Sequence, residues 1–214
     1  MIISHEKKFI FIHIPRTAGT RVSKSICNCI GIDNWREFIG EPKSLIDDEP
    51  EGGREWIGKK HIRAIDLKNE VDEEVWKSYF KFAFVRNPWD RAISVYLHSI
   101  KSSNSLVSHV WPKGSYLFNL LLILKYEILR AKSVQQSDYI CDENGDLIVD
   151  FVGKFENLKK DFYRVCNRIE VKCSLGGKYD ATRSRNYKDW YTDRSKGIIG
   201  RVKSKDLEMF GYKF

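Results

Sequence analysis

A nearly continuous apolar run over residues 9–14 constrains the fold of this chain more than any other feature. Such a run is typical of a strand that is buried on both faces of a parallel sheet, and Pro15 ends it because proline cannot continue the hydrogen-bond ladder. The polar loop at 16–20 then leads into a predicted helix over 21–30. A strand, a short loop and a helix in this order predict an α/β fold with a mainly parallel sheet.

The same alternation continues along the chain. A second clear strand spans 79–85, after which Asn87 is a predicted N-cap and Pro88 the first residue of a helix that runs to about 100. We expect one domain over 1–214, with 101–149 as a helical and loop insertion. The remaining predicted segments are loops at 31–58 and 101–115, a strand at 150–155, and helices at 72–78, 116–131, 158–169 and 198–210.

The charge of the chain favours anionic partners. The 37 Lys and Arg residues outnumber the 29 Asp and Glu residues, which gives a net charge of +8. A nucleotide, an anionic glycan, a nucleic acid or a membrane surface would each suit this balance, and so would a surface that serves only solubility.

Cysteine usage and hydropathy indicate a reducing, aqueous setting. Five cysteines without a CxxC pair predict neither a metal site nor a disulfide framework; buried thiols are favoured, with one Cys166–Cys173 bridge as the alternative. No signal-peptide pattern is visible, and the longest apolar run, 120–124, is too short to cross a bilayer. We therefore expect a cytoplasmic protein without stable membrane insertion, although a chain trimmed of an anchor would look the same.

The loop after the first strand is a candidate anion site. It reads Ile-Pro-Arg-Thr-Ala-Gly-Thr over 14–20 and presents backbone N–H groups at a helix N-terminus, the geometry that binds phosphate or sulfate. Gly19 would let the backbone approach an anion, Thr17 and Thr20 add hydroxyl donors, and Arg16 adds a fixed positive charge. The loop is not a Walker A sequence, because GxxxxGK[ST] is absent. On these residues alone, an anion loop and an ordinary strand-to-helix turn are equally supported.

A second candidate site follows the strand at 79–85. Arg86 comes at the carboxyl end of that strand, where α/β sheets bind their ligands, and Ser94 comes two turns into the next helix. Together they could hold one phosphate, the first by charge and the second by a hydroxyl hydrogen bond. Without the first loop, a surface arginine and a serine on the flank of a helix would be the favoured interpretation.

The two motifs together resemble the nucleotide-binding motifs of sulfotransferases that use 3′-phosphoadenosine 5′-phosphosulfate (PAPS). The match is strongest with the carbohydrate sulfotransferase group, the sulfotransferase 2-like family. There the first motif reads IPKTAGT and binds the 5′-phosphosulfate, and the second reads VRNPWDR…S and binds the 3′-phosphate. The segments at 58–61, 151–158 and 206–214 are also similar to the family, whereas 101–149 is the least similar part.

The resemblance implies a P-loop-like sheet that binds PAPS as co-substrate, with no metal and no nucleic-acid partner. It implies a hydroxyl acceptor that is a carbohydrate, with the insertion at 101–149 on the acceptor side, and the basic charge favours an anionic glycan as that acceptor. The family's corresponding C-terminal region closes over the adenosine, which here implicates the basic cluster around Ser184 and Arg185. The residues implied in nucleotide binding are Arg16, Thr17, Ala18, Gly19, Thr20, Arg86, Ser94, Ser184 and Arg185.

Two residues are candidates for catalysis. His61 would be read from its spacing alone as a solvated histidine beside Lys59 and Lys60, but the resemblance makes it the general base that accepts the proton of the acceptor hydroxyl. Arg16 stands where the family has lysine. Because arginine does not readily give up a proton, we expect Arg16 to act by stabilising charge on the breaking bridge to sulfur.

Two other functions fit parts of the sequence. An ATP-dependent phosphotransferase would need a lysine in the loop and a carboxylate for Mg²⁺ at a strand end, and neither is evident. A basic module that binds glycans or other polyanions without turnover would explain the charge but not the paired motifs.

Overall fold

The computed structural model describes residues 1–32, 61–102, 119, 134–176 and 186–214. The chain divides into two compact units. The first is formed by Met1–Val85 and Gln136–Lys178, and the second by Arg86–Gln135 and Tyr179–Phe214. Each unit therefore combines two stretches that are distant in the sequence.

The first unit is built on a four-stranded sheet with the order β1-β2-β3-β4. Strands β2, β3 and β4 run parallel, as predicted, with Phe11 opposite Phe82 and Phe84 opposite Gly153. Strand β1 pairs antiparallel with β2 and was not predicted. The strands are β1 (Ile2–Ser4), β2 (Phe9–Ile12), β3 (Phe80–Val85) and β4 (Phe151–Lys154).

The helices confirm the predicted positions in the described part of the chain, with boundaries that shift by a few residues. The exceptions are α2, which was not predicted, and the C-terminal helix, which is two helices, α6 and α7. The predicted helix at 116–131 lies outside the described residues, apart from Asn119. The helices are α1 (Gly19–Cys29), α2 (Ala64–Glu70), α3 (Glu73–Ser78), α4 (Pro88–Ser102), α5 (Leu158–Arg168), α6 (Asp193–Val202) and α7 (Ser204–Phe210).

Phenylalanine side chains from the central strands form the core of the first unit. The rings of Phe11 and Phe82 stack at a centroid distance of 5.0 Å, and both residues are excluded from solvent. Helices α1 and α5 cover this core with residues such as Ile26 and Phe162. Because burial of each such side chain stabilises the fold by about 1.5–3 kcal/mol, the sheet is a rigid base for the loops at its strand ends.

The core of the second unit lies between α4 and the C-terminal helices. Trp89, Ile93, Trp190 and Ile199 form its buried cluster. Helix α6 begins at a capping box, in which the hydroxyl of Thr192 and the side chain of Ser195 satisfy each other's backbone N–H groups. The capping box defines the start of α6, and the buried cluster packs this helix against α4.

The cysteine prediction was wrong for one pair. Cys29, the last residue of α1, forms a disulfide with Cys173, so the alternative Cys166–Cys173 bridge does not exist. The other cysteines, Cys27, Cys141 and Cys166, are buried outside the disulfide, as predicted. Disulfides are typical of oxidising compartments, so the expectation of a reducing, cytoplasmic setting loses one of its supports.

Candidate active site

The loop between β2 and α1 is strained in the way that ligand-binding loops often are. Arg16 and Ala18 both have positive φ angles, 69° and 70°, although neither is glycine. Each such residue costs on the order of 1 kcal/mol or more and persists only where its surroundings enforce it. Between them, Thr17 is buried at 1% exposure, and its hydroxyl donates to the carbonyl oxygen of Ile14 at 3.0 Å. The hydroxyl proton of Thr17 therefore stabilises the loop itself.

Helix α1 begins directly after this loop without a side-chain cap. Its N-cap residue is Ala18, in the left-handed region, and this residue makes no side-chain cap hydrogen bond to the first turn. The first turn carries no acidic residue, and the side chain of Thr20 is exposed there. Uncapped N–H groups and a positive helix end suit an anion, so the loop has the features predicted for a phosphate or sulfate cradle.

Gly19 is required by a neighbouring side chain. A Cβ atom at this position would lie 1.9 Å from Cδ2 and 2.1 Å from Nε2 of His13, so any larger residue would collide with that imidazole. His13 follows β2 and is buried. From the sequence, Gly19 is expected to let an anion approach the backbone, whereas in the structure its close neighbour is the His13 ring.

His61 lies next to the same residue. Its Nδ1 donates to the backbone carbonyl oxygen of His13 at 3.0 Å, and the two imidazole rings meet edge to face with centroids 4.8 Å apart. Because a carbonyl oxygen only accepts, Nδ1 of the neutral His61 ring carries the proton and Nε2 carries the lone pair. The side chain is exposed, so this lone pair is on a ring that substrate can approach.

A groove of about 600 Å³, here called the His61 groove, lies beside the imidazole. Helix α2 supplies most of its polar groups. Asp66 is bound by Arg63, whose Nε and Nη2 donate to the two carboxylate oxygens at 2.7 Å each. Hydrogen bonding to Asp66 raises the pKa of Arg63 above its ordinary value. The described residues that line the groove are His61, Ile62, Asp66, Asn69 and Glu70.

The second predicted site begins the other unit, directly after β3. Arg86 is only 3% exposed, and its Nε and Nη2 both lie 2.7 Å from Oδ2 of Asp90. Asn87 holds the start of α4: its Oδ1 accepts from the N–H of Trp89 at 3.1 Å, as an N-cap should. Ser94 is buried one turn after Asp90 on the same helix.

Not every predicted site residue can be compared with the structure. Ser184 and Arg185 lie outside the described residues. Of the others, Gly19 and His61 both contact His13 in the first unit, and Arg86 and Ser94 are buried in the second unit.

Comparison with known proteins decides the class. A family model described as the sulfotransferase family matches residues 1–213, almost the complete chain. The chain belongs to the sulfotransferase family. Membership confirms the resemblance stated from the two motifs, and it makes this protein a transferase that moves a sulfuryl group to a hydroxyl-bearing acceptor.

A relative is found in an archaeon. The sulfotransferase is 26% identical over 125 residues to an uncharacterized protein of Archaeoglobus fulgidus, a match that covers 57% of this chain and 93% of the relative. The name of that relative carries no information on substrate.

Three polar groups beside predicted site residues were not assigned to a site from the sequence: Asp66 in the His61 groove, the imidazole of His13 beside Gly19, and Asp90 beside Arg86. Asp90 has a readable signal, since it is an acidic residue in the first turn of the helix predicted from Pro88 and is close to Arg86 in the sequence. The described residues contain no group of three or more His, Cys, Asp or Glu side chains that could hold a metal ion. None of the helices in the described segments has both the length and the apolar character needed to span a bilayer.

Proposed function

We propose that this sulfotransferase takes the sulfuryl group from PAPS and transfers it to a carbohydrate hydroxyl. One observation carries the proposal: His13 contacts Gly19 of the candidate phosphosulfate loop with its ring and accepts the Nδ1 proton of His61 with its carbonyl. The buried residue His13 therefore contacts both the candidate anion loop and a histidine whose basic nitrogen is defined by hydrogen bonding. Sulfuryl transfer needs both, and the family generally uses PAPS.

The proposed nucleotide contacts follow the two motifs. The loop residues Arg16, Thr17, Ala18, Gly19 and Thr20 would bind the 5′-phosphosulfate through backbone N–H groups, the charge of Arg16 and the hydroxyl of Thr20. Arg86 and Ser94 would bind the 3′-phosphate, and Ser184 and Arg185 remain proposed contacts of the adenosine side. The uncapped start of α1 and the buried guanidinium of Arg86 support these assignments.

The reaction would be an in-line displacement at sulfur. The acceptor oxygen forms a bond to sulfur while the bond from sulfur to the bridging oxygen of the 5′-phosphate breaks, which releases 3′-phosphoadenosine 5′-phosphate (PAP). Nε2 of His61 takes the proton of the acceptor hydroxyl, which is why its lone pair matters. Arg16 stabilises the negative charge that develops on the bridging oxygen, and it does so without giving up a proton.

The polar side chains of the His61 groove indicate what kind of acceptor it could bind. Carboxylate and amide side chains such as Glu70 and Asn69 accept hydrogen bonds from sugar hydroxyls, and a groove of about 600 Å³ is large enough for one or two sugar rings. The carboxylate of Glu70 repels uronate and sulfate groups, whereas the charge of Asp66 is paired with Arg63. We therefore propose an uncharged sugar in the His61 groove, whereas the net charge of +8 alone would favour an anionic glycan.

The test is a transfer assay with ³⁵S-labelled PAPS and a panel of neutral and anionic oligosaccharides, with the product mass measured. The wild-type chain should add one sulfuryl group, and His61→Ala should lower kcat by about 10²–10⁴ while PAP binding stays unchanged. His5→Asn is the matched control, because His5 bonds Tyr79 away from the groove. Transfer that survives in His61→Ala would refute the assignment of the base.

The same assay separates the rival functions. Phosphoryl transfer from ATP in place of sulfuryl transfer from PAPS would identify a phosphotransferase. Glycan binding without any turnover, weakened steeply by salt, would identify a polyanion-binding module instead.

A further inference from the structure

The side chain of His13 connects the two halves of the proposed chemistry, and it is a titratable group that the mechanism above does not use. The residue directly follows β2 and is 3% exposed. On one side its ring stacks on Phe11, with centroids 5.9 Å apart and planes 16° apart. This aromatic support fixes the orientation of the imidazole within the rigid core of the first unit.

The contact with Gly19 is the tightest constraint on the loop. The three ring atoms Cδ2, Nε2 and Cγ of His13 would lie 1.9, 2.1 and 2.7 Å from a Cβ atom at position 19. Gly19 does not have a positive φ angle, so backbone conformation does not demand a glycine. The ring of His13 therefore sets how closely the start of α1 approaches β2.

The contact with His61 has two components. The carbonyl oxygen of His13 accepts the Nδ1 proton, which selects the tautomer, and the edge-to-face ring contact at 4.8 Å limits rotation of the His61 ring. Since His61 is otherwise exposed, these contacts with one buried residue give its Nε2 a defined direction.

We propose that His13 is a positioning residue that sets the distance between the phosphosulfate loop and the base His61. This inference rests on the proposed function. A residue that only filled the core could be shortened with loss of stability alone. A positioning residue also lowers kcat, because displacement by about 1 Å of a reacting group can cost about 100-fold in rate.

The steric half of the proposal is tested without any substrate. Gly19→Ala forces the new Cβ against the imidazole, whereas Gly19→Ala combined with His13→Ala removes the ring atoms that collide. The effects of the two substitutions on the free energy of unfolding in urea should therefore be strongly coupled. The double variant should be more stable than the sum of the two single losses predicts. Gly197→Ala is the matched control, since the new Cβ would lie 3.7 Å from Nη1 of Arg201, an ordinary contact, and it should show no coupling to His13→Ala.

The functional half uses the same variants. Gly19→Ala should weaken PAP binding about tenfold, and the double variant should recover most of that affinity, because the loop can close again once the ring is absent. Its kcat should nevertheless stay at least about tenfold below wild type, since the ring contact that orients His61 is gone. Loss in kcat without loss in PAP affinity is the signature that a purely structural role would not produce.

Two outcomes overturn the proposal. Additive unfolding energies would mean that the His13 ring is not what Gly19 accommodates. A His13→Ala variant with wild-type kcat would mean that the imidazole ring of His13 does not position the base, since this variant keeps the backbone carbonyl that binds Nδ1 of His61. Failure of the proposed function looks different: the wild-type chain would then neither bind PAP nor transfer sulfate, while the coupling in unfolding would persist.

Discussion

The carboxylate of Asp90 accepts the Nε proton of Arg86 at 2.7 Å, and Nη2 of the same guanidinium lies 2.7 Å from the same oxygen. Arg86 is the residue that follows β3, and its side chain is almost completely buried. Asp90 and Ser94 are four residues apart on α4 and so lie on one face of the helix. Asp90 therefore fixes the direction of the guanidinium that we assign to the 3′-phosphate.

Replacement of Asp90 should separate orientation from charge. Asp90→Asn keeps an oxygen that accepts from Nε, so the affinity for PAP should stay within about threefold of wild type. Asp90→Ala removes that acceptor, and the affinity should fall about tenfold. Calorimetric titration with PAP and with adenosine 5′-phosphate checks this, because the loss should vanish for the ligand without a 3′-phosphate. Glu73→Ala, which removes an exposed ion pair with Lys77, is the control and should change neither affinity.

Arg16 gives the second prediction, because the family has lysine at this position. Arg16→Lys keeps the positive charge that we propose stabilises the bridging oxygen, so kcat should stay within about tenfold of wild type. Arg16→Met keeps much of the aliphatic stem and removes the charge, so kcat should fall by about 10²–10³. Steady-state kinetics with saturating PAPS measures both. Equal activity of the two variants would show that charge at this position does not contribute to the transition state.

The disulfide gives a prediction about stability. It joins α1 to the segment after α5, across 144 residues of sequence, and a further link is the N–H of Gly176, which donates to Oγ of Ser25 at 2.9 Å. Reduction should lower the free energy of unfolding by about 2–5 kcal/mol, mainly because the unfolded chain regains freedom. Urea denaturation with and without reductant measures the change. The double variant Cys29→Ser, Cys173→Ser should show the lower stability in both conditions.

Burial of Cys166 predicts a pH dependence. Desolvation raises the pKa of this thiol from its ordinary value near 9 to about 11. A raised pKa in the folded state means that the thiol stabilises the fold fully below about pH 9, and that this contribution disappears as the pH rises through about 11. The difference in unfolding free energy between wild type and Cys166→Ala should therefore shrink over this window. A difference that stays constant would contradict the buried, protonated thiol.

The sequence predicted the parts of the structure that depend on local pattern. The apolar run at 9–14 and the strand at 79–85 identify β2 and β3, because a strand buried on both faces has a nearly continuous apolar sequence; Lys81 interrupts it in β3. The N-cap role of Asn87 was also predictable, since asparagine followed by proline is a local signal for a helix start.

The parts that depend on contacts between distant residues could not be predicted. Nothing local pairs Cys29 with Cys173, because disulfide partners are chosen by spatial proximity. The reason for Gly19 was likewise hidden, since the ring that excludes a side chain there comes from His13, six residues earlier. The tautomer of His61 depends on a carbonyl group 48 residues away.

The His61 groove gives the last prediction, which concerns acceptor choice. Glu70 is an exposed acid at the C-terminal end of α2, so replacing it should change what enters the groove more than how the chain folds. With a neutral oligosaccharide and its uronate-bearing counterpart as paired acceptors, wild type should prefer the neutral one. Glu70→Gln should bring the kcat/KM ratio of the neutral to the uronate-bearing acceptor closer to one, and Glu70→Lys should reverse the preference. The ratio should change by about tenfold for each unit of charge at contact distance. Glu74→Gln on α3 lies outside the lining of the groove and should leave the ratio unchanged. If all three variants share the wild-type ratio, the acceptor does not bind beside Glu70, and the groove would no longer support an uncharged sugar as substrate.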